Sequence, residues 1–194
     1  MRGRIWLKYF MRVIETEYPN NKKSWTDSEW TEFLGGVLDR VAKKMNCEVA
    51  RRRLKNKEGS GEYFNIDAVF IDKSEYDYIE EDIEWDPFVL PRTVVELENS
   101  YDFQKISYCL WKIFCIRAPI RVLICYQDNS TKIQSLKRHL ENVIWQGNLT
   151  KGDSGDLLVI VGDDSKEDES EWNEYFNIFE WRNDRLEEIE LLKW

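Results

Sequence analysis

The chain predicts a mixed α/β fold: a central β-sheet with helices on its faces. Three observations carry this. Apolar residues recur at helical spacing in several segments, short runs rich in β-branched and aromatic residues stand between them, and the two kinds alternate along the chain. From residue 26 to 126 the order reads helix, strand, strand, strand, helix, strand, and a C-terminal strand and hairpin follow. With 194 residues, 42% hydrophobic and 34% charged, the chain suits one domain over 1–194, with its core at about 26–126. A helix over 4–18 precedes that core and an extension over 127–194 follows it.

Taken in order, Ile5, Trp6, Tyr9, Phe10, Val13 and Ile14 fall at helical spacing, and Pro19 with Asn20 and Asn21 ends the segment. Thr26 with Glu29 three residues on has the form of a capping box. Trp30, Phe33, Leu34, Val37, Leu38, Val41 and Met45 then mark one face of a helix running to about Asn46. Strands are expected at 47–54, where Val49, Arg51 and Arg53 share a face, at 64–72 and at 92–99. The first two are joined by the turn "NKEGSGE". The second and third are separated by "KSEYDYIEEDIEWDPFVLP", whose seven acidic residues between Glu75 and Asp86 mark a solvated excursion without calcium-hand spacing. A helix over 102–116 has Ile106, Cys109, Leu110, Ile113 and Phe114 on its apolar face, and Pro119 closes it. A buried strand (120–126), a helix (about 131–145), the strand "DLLVIVGD", an acidic loop and a hairpin in "YFNIFEWRNDRLEEIEL" complete the chain.

Composition narrows the function classes. A net charge of −9 argues against coating nucleic acid by bulk attraction, since Lys and Arg drive phosphate binding. DNA contact would need a local basic patch. Cys47, Cys109, Cys115 and Cys125 include no CxxC and stand with one histidine, so no structural zinc site is expected. Cys109, Cys115 and Cys125, inside apolar runs, read as buried free thiols, and His139 as an exposed residue of a charged helix. Lys8 and Arg12 interrupt the N-terminal apolar residues, and no run approaches the ~20 residues of a membrane span, so no membrane and a reducing cytoplasm are expected. Aromatics make up 14% of the chain, nine of them Trp. They serve either a core of large rings, or base stacking or a partner interface.

The chemistry gathers at "RTVVELENSYD", residues 92 to 102. Glu96 and Glu98 lie two apart, so a strand sends both to one face, roughly 6–7 Å from each other. Val95 and Leu97 occupy the other face. Two carboxylates repel, so either that face is solvated or something positive sits between them. Asp67, near the middle of the preceding strand, meets Glu96 at one point if the two strands are neighbours. Hard oxygen ligands converging from two strands suit Mg²⁺ or Mn²⁺.

This strand order, with Asp67 in "NIDAVFID" and Glu96 and Glu98 in "VVELEN", resembles the PD-(D/E)XK, restriction-endonuclease-like nuclease superfamily over roughly residues 26 to 126. Glu98 stands where the family's usual lysine would be, as in some restriction endonucleases. The resemblance implies Mg²⁺ (or Mn²⁺) held by Asp67, Glu96 and the carbonyl of Leu97, with a further carboxylate from the first core helix, Glu32 or Glu29. It implies that Lys105, from the following helix, takes over phosphate stabilisation, while Glu98 binds a second ion or orients water. Gln104 and Tyr108 in "QKISY" resemble the QxxxY element of RecB-type nucleases.

Arg51, Arg53, Lys55 and Lys57 read as a solvated hairpin or as a basic patch that grips DNA phosphates, extended by Lys105 and Lys112. The expected function is metal-dependent hydrolysis of DNA phosphodiester bonds in restriction, repair or defence. The alternative is a non-catalytic scaffold of the same fold that binds a protein partner or pairs as a homodimer. Net charge, abundant Trp and the missing lysine favour the scaffold; the acids Asp67 and Glu96 favour the nuclease.

Overall fold

A computed structural model of the protein describes residues 2–17, 26–51, 65–75, 89–152, 155–166 and 172–189. Its helices are α1 (Arg2–Glu17), α2 (Asp27–Lys44), α3 (Phe103–Phe114), α4 (Ser130–Gly147) and the single turn α5 (Trp172–Tyr175). Its strands are β1 (Cys47–Arg51), β2 (Ala68–Asp72), β3 (Thr93–Glu98), β4 (Ile120–Gln127), β5 (Asp156–Asp163), β6 (Phe176–Arg182) and β7 (Arg185–Glu188). They form one mixed sheet in sequence order. The solvated excursion expected between residues 73 and 91 falls largely outside the described residues, as does the turn before β2. Among the described residues, no helix is long and apolar enough to cross a membrane.

The sheet's centre is parallel and its flanks antiparallel. β3, β4 and β5 run parallel, while β1–β2–β3 and β5–β6–β7 are antiparallel meanders. Parallel strands are covered on both faces, which is why β4 and β5 read as nearly unbroken apolar runs. Every residue of β4 is buried. The crossovers through α3 and α4 advance in one direction across the sheet. Crossovers of one hand then place both helices on the same face, and the two do share a core with Val69, Val94, Leu123 and Val159. The opposite face is covered by α1 and α2, whose Trp6, Phe10, Leu34 and Leu38 meet Val95, Val122 and Ile124.

Local chemistry sets the boundaries. The Thr26 capping box forms as the sequence predicts: the Thr26 hydroxyl accepts from the Glu29 N–H, and the Glu29 carboxylate accepts from the Thr26 N–H at 2.7 Å. Asp102 caps α3 by accepting from the Gln104 N–H. At the other end of α3, Arg121 from β4 is 1% exposed and donates to the carbonyls of Ile113 and Ile116, both at 3.0 Å. A buried cation there satisfies the Ile113 carbonyl at the negative end of the helix and the Ile116 carbonyl just beyond it. The β6–β7 hairpin turns at Asn183 and Asp184, with φ of 49° and 60°, the left-handed pair of a tight two-residue turn. Trp30 stacks on Phe33 and Phe176 and donates its indole N–H to Tyr126 at 2.7 Å, so part of the aromatic excess builds core. Cys115 differs from the expected buried thiol: as the C-cap of α3 it is exposed. His139 is half-buried, with Nε2 2.8 Å from the Ser107 hydroxyl across the α3–α4 contact.

Candidate functional site

In β3, Val94, Glu96 and Glu98 face α3, while Val95 and Leu97 face the core under α1 and α2. The β2–β3 ladder ends with Ala68 opposite Val95, so Asp67, expected near the middle of a strand, lies just before β2, where its charge reaches Glu96. Asp67 and Glu96 thus lie near each other, while Glu98 turns to Ser100 and Cys109. Glu96 is 1% exposed. Its Oε2 lies 2.8 Å from the Lys112 ammonium, which also donates to the Asn65 carbonyl at 2.9 Å. Its Oε1 is buried with no hydrogen-bond partner. The positive group at Glu96 is therefore a lysine of α3, and it pairs with Glu96 rather than standing between Glu96 and Glu98.

Burial pushes the Glu96 carboxyl up to about 7, the nearby Asp67 charge adds to the rise, and Lys112 pulls it back. Burial pulls the Lys112 ammonium down, but Glu96, Cys109 and Asp67 together outweigh it and hold Lys112 above the usual lysine value. Asp67 accepts from the Leu97 N–H at 2.8 Å, so the Leu97 group engaged with the acidic pair is its N–H rather than the expected carbonyl. Glu98 accepts from the Ser100 N–H at 2.8 Å and from the Cys109 thiol at 3.7 Å. Burial first, then the Glu96 charge, pushes the Cys109 thiol well above the ordinary range. Cys109 is thus a weak donor here and not a nucleophile.

Several expected site residues stand elsewhere. Lys105 is exposed, and its expected place beside the acids belongs to Lys112. The reason is geometric. A helix falls only about 1.5 Å per residue, so Lys105, near the start of α3, stays by the rim of the sheet while Lys112 descends roughly 10 Å further, to Glu96. Glu32 is exposed on α2. Glu29 is exposed too, its carboxylate held below the usual range by the Thr26 N–H and hydroxyl. Both lie on the helix that covers the opposite face. Arg51 is on that face as well, donating to both Asp39 carboxylate oxygens at 2.9 and 3.0 Å, so it serves the α2–β1 contact and not a phosphate ridge. Arg53, Lys55 and Lys57 lie outside the described residues. Gln104 is exposed one turn before Tyr108.

Among the described residues, no group of three or more His, Cys, Asp or Glu side chains is arranged to hold a metal ion. The two carboxylates, with one buried oxygen unsatisfied, nonetheless fit Mg²⁺ or Mn²⁺, which is commonly bound by one or two carboxylates together with substrate phosphates. They do not fit zinc, which takes nitrogen and sulfur donors in closed sets.

Beside the acids lies a depression of ≈ 420 Å³ whose lining includes Asn65, Leu90, Tyr108, Trp111, Lys112 and Arg117. Sequence reasoning did not single out Asn65, Trp111 or Arg117. For Trp111 a signal existed: it lies off the apolar stripe of Ile106, Leu110 and Ile113, so helical periodicity turns a large ring toward solvent. No family model, curated protein or solved structure matches the chain.

Proposed function

We propose that this protein is a metal-dependent nuclease of restriction-endonuclease-like fold, hydrolysing DNA phosphodiester bonds at the Asp67–Glu96 pair. The observation that carries the reading is the buried Glu96 carboxylate, within reach of the Asp67 charge, with an unsatisfied oxygen and a lysine at its side. Leaving a buried acceptor unpaired costs about 1–3 kcal/mol, a cost that a ligand-binding oxygen repays when occupied. Asp67 and Glu96 would hold Mg²⁺ or Mn²⁺, which supplies polarisation of the phosphate and acidification of a bound water. Lys112 stays protonated, because its pKa lies above the usual lysine value, so it acts as an electrostatic donor to phosphate oxygens and not as a base. Glu98, fixed by Ser100 and Cys109, borders the same face.

Incubation of plasmid DNA with the protein and Mg²⁺ or Mn²⁺ tests this. Wild type should nick or degrade the DNA, and Asp67→Ala and Glu96→Gln should not. Cleavage that survives both substitutions, or that needs no metal, would overturn the assignment. One observation favours a second reading, the non-catalytic scaffold: Lys112 neutralises Glu96 without any ion. That reading predicts no cleavage and no effect of Mn²⁺ on the melting temperature.

A further inference from the structure

The depression beside the acids presents side chains that the hydrolytic chemistry does not use. Tyr108 and Trp111 project from α3, 58% and 50% exposed. Their rings are stacked, with centroids 5.9 Å apart and planes at 24°. Two large rings left in water forgo the free energy that burial supplies, and α3 already has a buried face in Ile106, Leu110 and Ile113. The Lys112 ammonium lies 5.7 Å from the Tyr108 ring centroid, within cation–π range. Arg117 is exposed and has no partner among the described residues. On a chain of net charge −9, Arg117 and Lys112, whose ammonium also holds Glu96, flank an aromatic pair and favour an anion that carries a flat apolar face.

Building on the nuclease reading of Asp67 and Glu96, we propose that this depression seats an unpaired base of single-stranded DNA on Trp111 and Tyr108. Lys112 and Arg117 meet the flanking phosphates. Every base has a π-face, so such a platform tolerates sequence. A duplex keeps its bases stacked on one another and cannot offer one. The volume of ≈ 420 Å³ lies in the range of small-ligand sites. Lys112 joins the two places: it lines the depression and sits 2.8 Å from Glu96. A strand seated by its base therefore has a backbone phosphate close to the acidic pair.

The test is fluorescence anisotropy with a labelled oligothymidylate of about ten nucleotides, single-stranded or in a duplex of equal length. It is run at low salt in Ca²⁺, which occupies a metal site without supporting cleavage. The single strand should bind more tightly than the duplex. Trp111→Ala should weaken single-strand binding on the order of tenfold, and Trp111→Phe should restore most of it. Arg117→Ala should flatten the salt dependence by about one unit of log–log slope. Equal affinity for the duplex, or indifference to both Trp111→Ala and Tyr108→Ala, overturns the proposal. So does a concentration-dependent dimer that Trp111→Ala abolishes, since the rings would then face a second copy of the chain. Binding through Trp111 without any cleavage in Mg²⁺ or Mn²⁺ would overturn the nuclease reading alone. Metal-dependent cleavage with binding that ignores both rings would overturn the base seat alone.

Discussion

Replacing Lys112 with Met removes the ammonium that balances Glu96 while keeping most of the side chain's apolar length. The change falls on the 2.8 Å ion pair and on the bond to the Asn65 carbonyl. With Lys112 present, the Glu96 carboxyl stands at about 7 against an ordinary 4.5. The folded state thus holds this proton more tightly than the unfolded chain does. Stability then falls as pH rises from about 4.5 to about 7, by about 1.4 kcal/mol per unit, and levels off once both states are ionised. Without Lys112 the folded value lies higher still, so the fall continues past about pH 7 at the same slope. Near about pH 6 the variant should lose only its hydrogen bonding, about 1 kcal/mol. Near about pH 8 the loss should grow to roughly 2–2.5 kcal/mol. Urea unfolding at the two pH values measures both losses from shifts in the midpoint at constant slope. A loss that is the same at both would refute the claim that Lys112 pulls the Glu96 carboxyl down.

In plasmid cleavage, Lys112→Ala should lower the rate by a factor on the order of 10²–10³, as for loss of one electrostatic donor, whereas Lys105→Ala should leave it unchanged; the reverse result would return the role to Lys105. Arg121→Met should destabilise the fold by about 2–4 kcal/mol, read by thermal unfolding, because it strips the buried cap from the C-terminal carbonyls of α3. Thr26→Ala should cost about 1 kcal/mol by loss of the capping box, and a change below about 0.3 kcal/mol would mean that the first turn of α2 is held by tertiary contacts alone.

Periodicity made most of the architecture legible. The stripe from Trp30 to Met45 and the unbroken apolar run of β4 each admit one element type, and the Thr26–Glu29 pair fixes where α2 begins. The nearness of Asp67 to Glu96 was legible for a related reason, although Asp67 falls just before β2 and not inside it. A strand's period of two leaves little choice of face, and adjacent antiparallel strands leave little choice of partner. The lysine was not legible to the same degree. Lys105 and Lys112 lie on one flank of α3, and only the depth at which the helix crosses β3 separates them. That depth depends on the path of residues 99–102, which periodicity does not encode. Arg51 takes the face of Val49 as alternation predicts, but its pairing with Asp39, twelve residues earlier, belongs to tertiary structure and was not legible. Of the aromatic excess, Trp30 is in the core and Trp111 stands half-exposed on the surface.

Calorimetric titration of Mn²⁺ into the wild-type chain, Asp67→Ala and Glu96→Gln tests the central claim most directly. The account predicts one ion per chain for the wild type and none for either variant. It also predicts proton release. Near about pH 6.5 Glu96 is largely protonated in the folded state and must give up its proton to bind, so the measured heat should depend on the buffer's ionisation enthalpy; near about pH 8.5 that dependence should vanish. Mn²⁺ binding that persists in both variants, or no binding to the wild type at either pH, would contradict a metal site at Asp67 and Glu96.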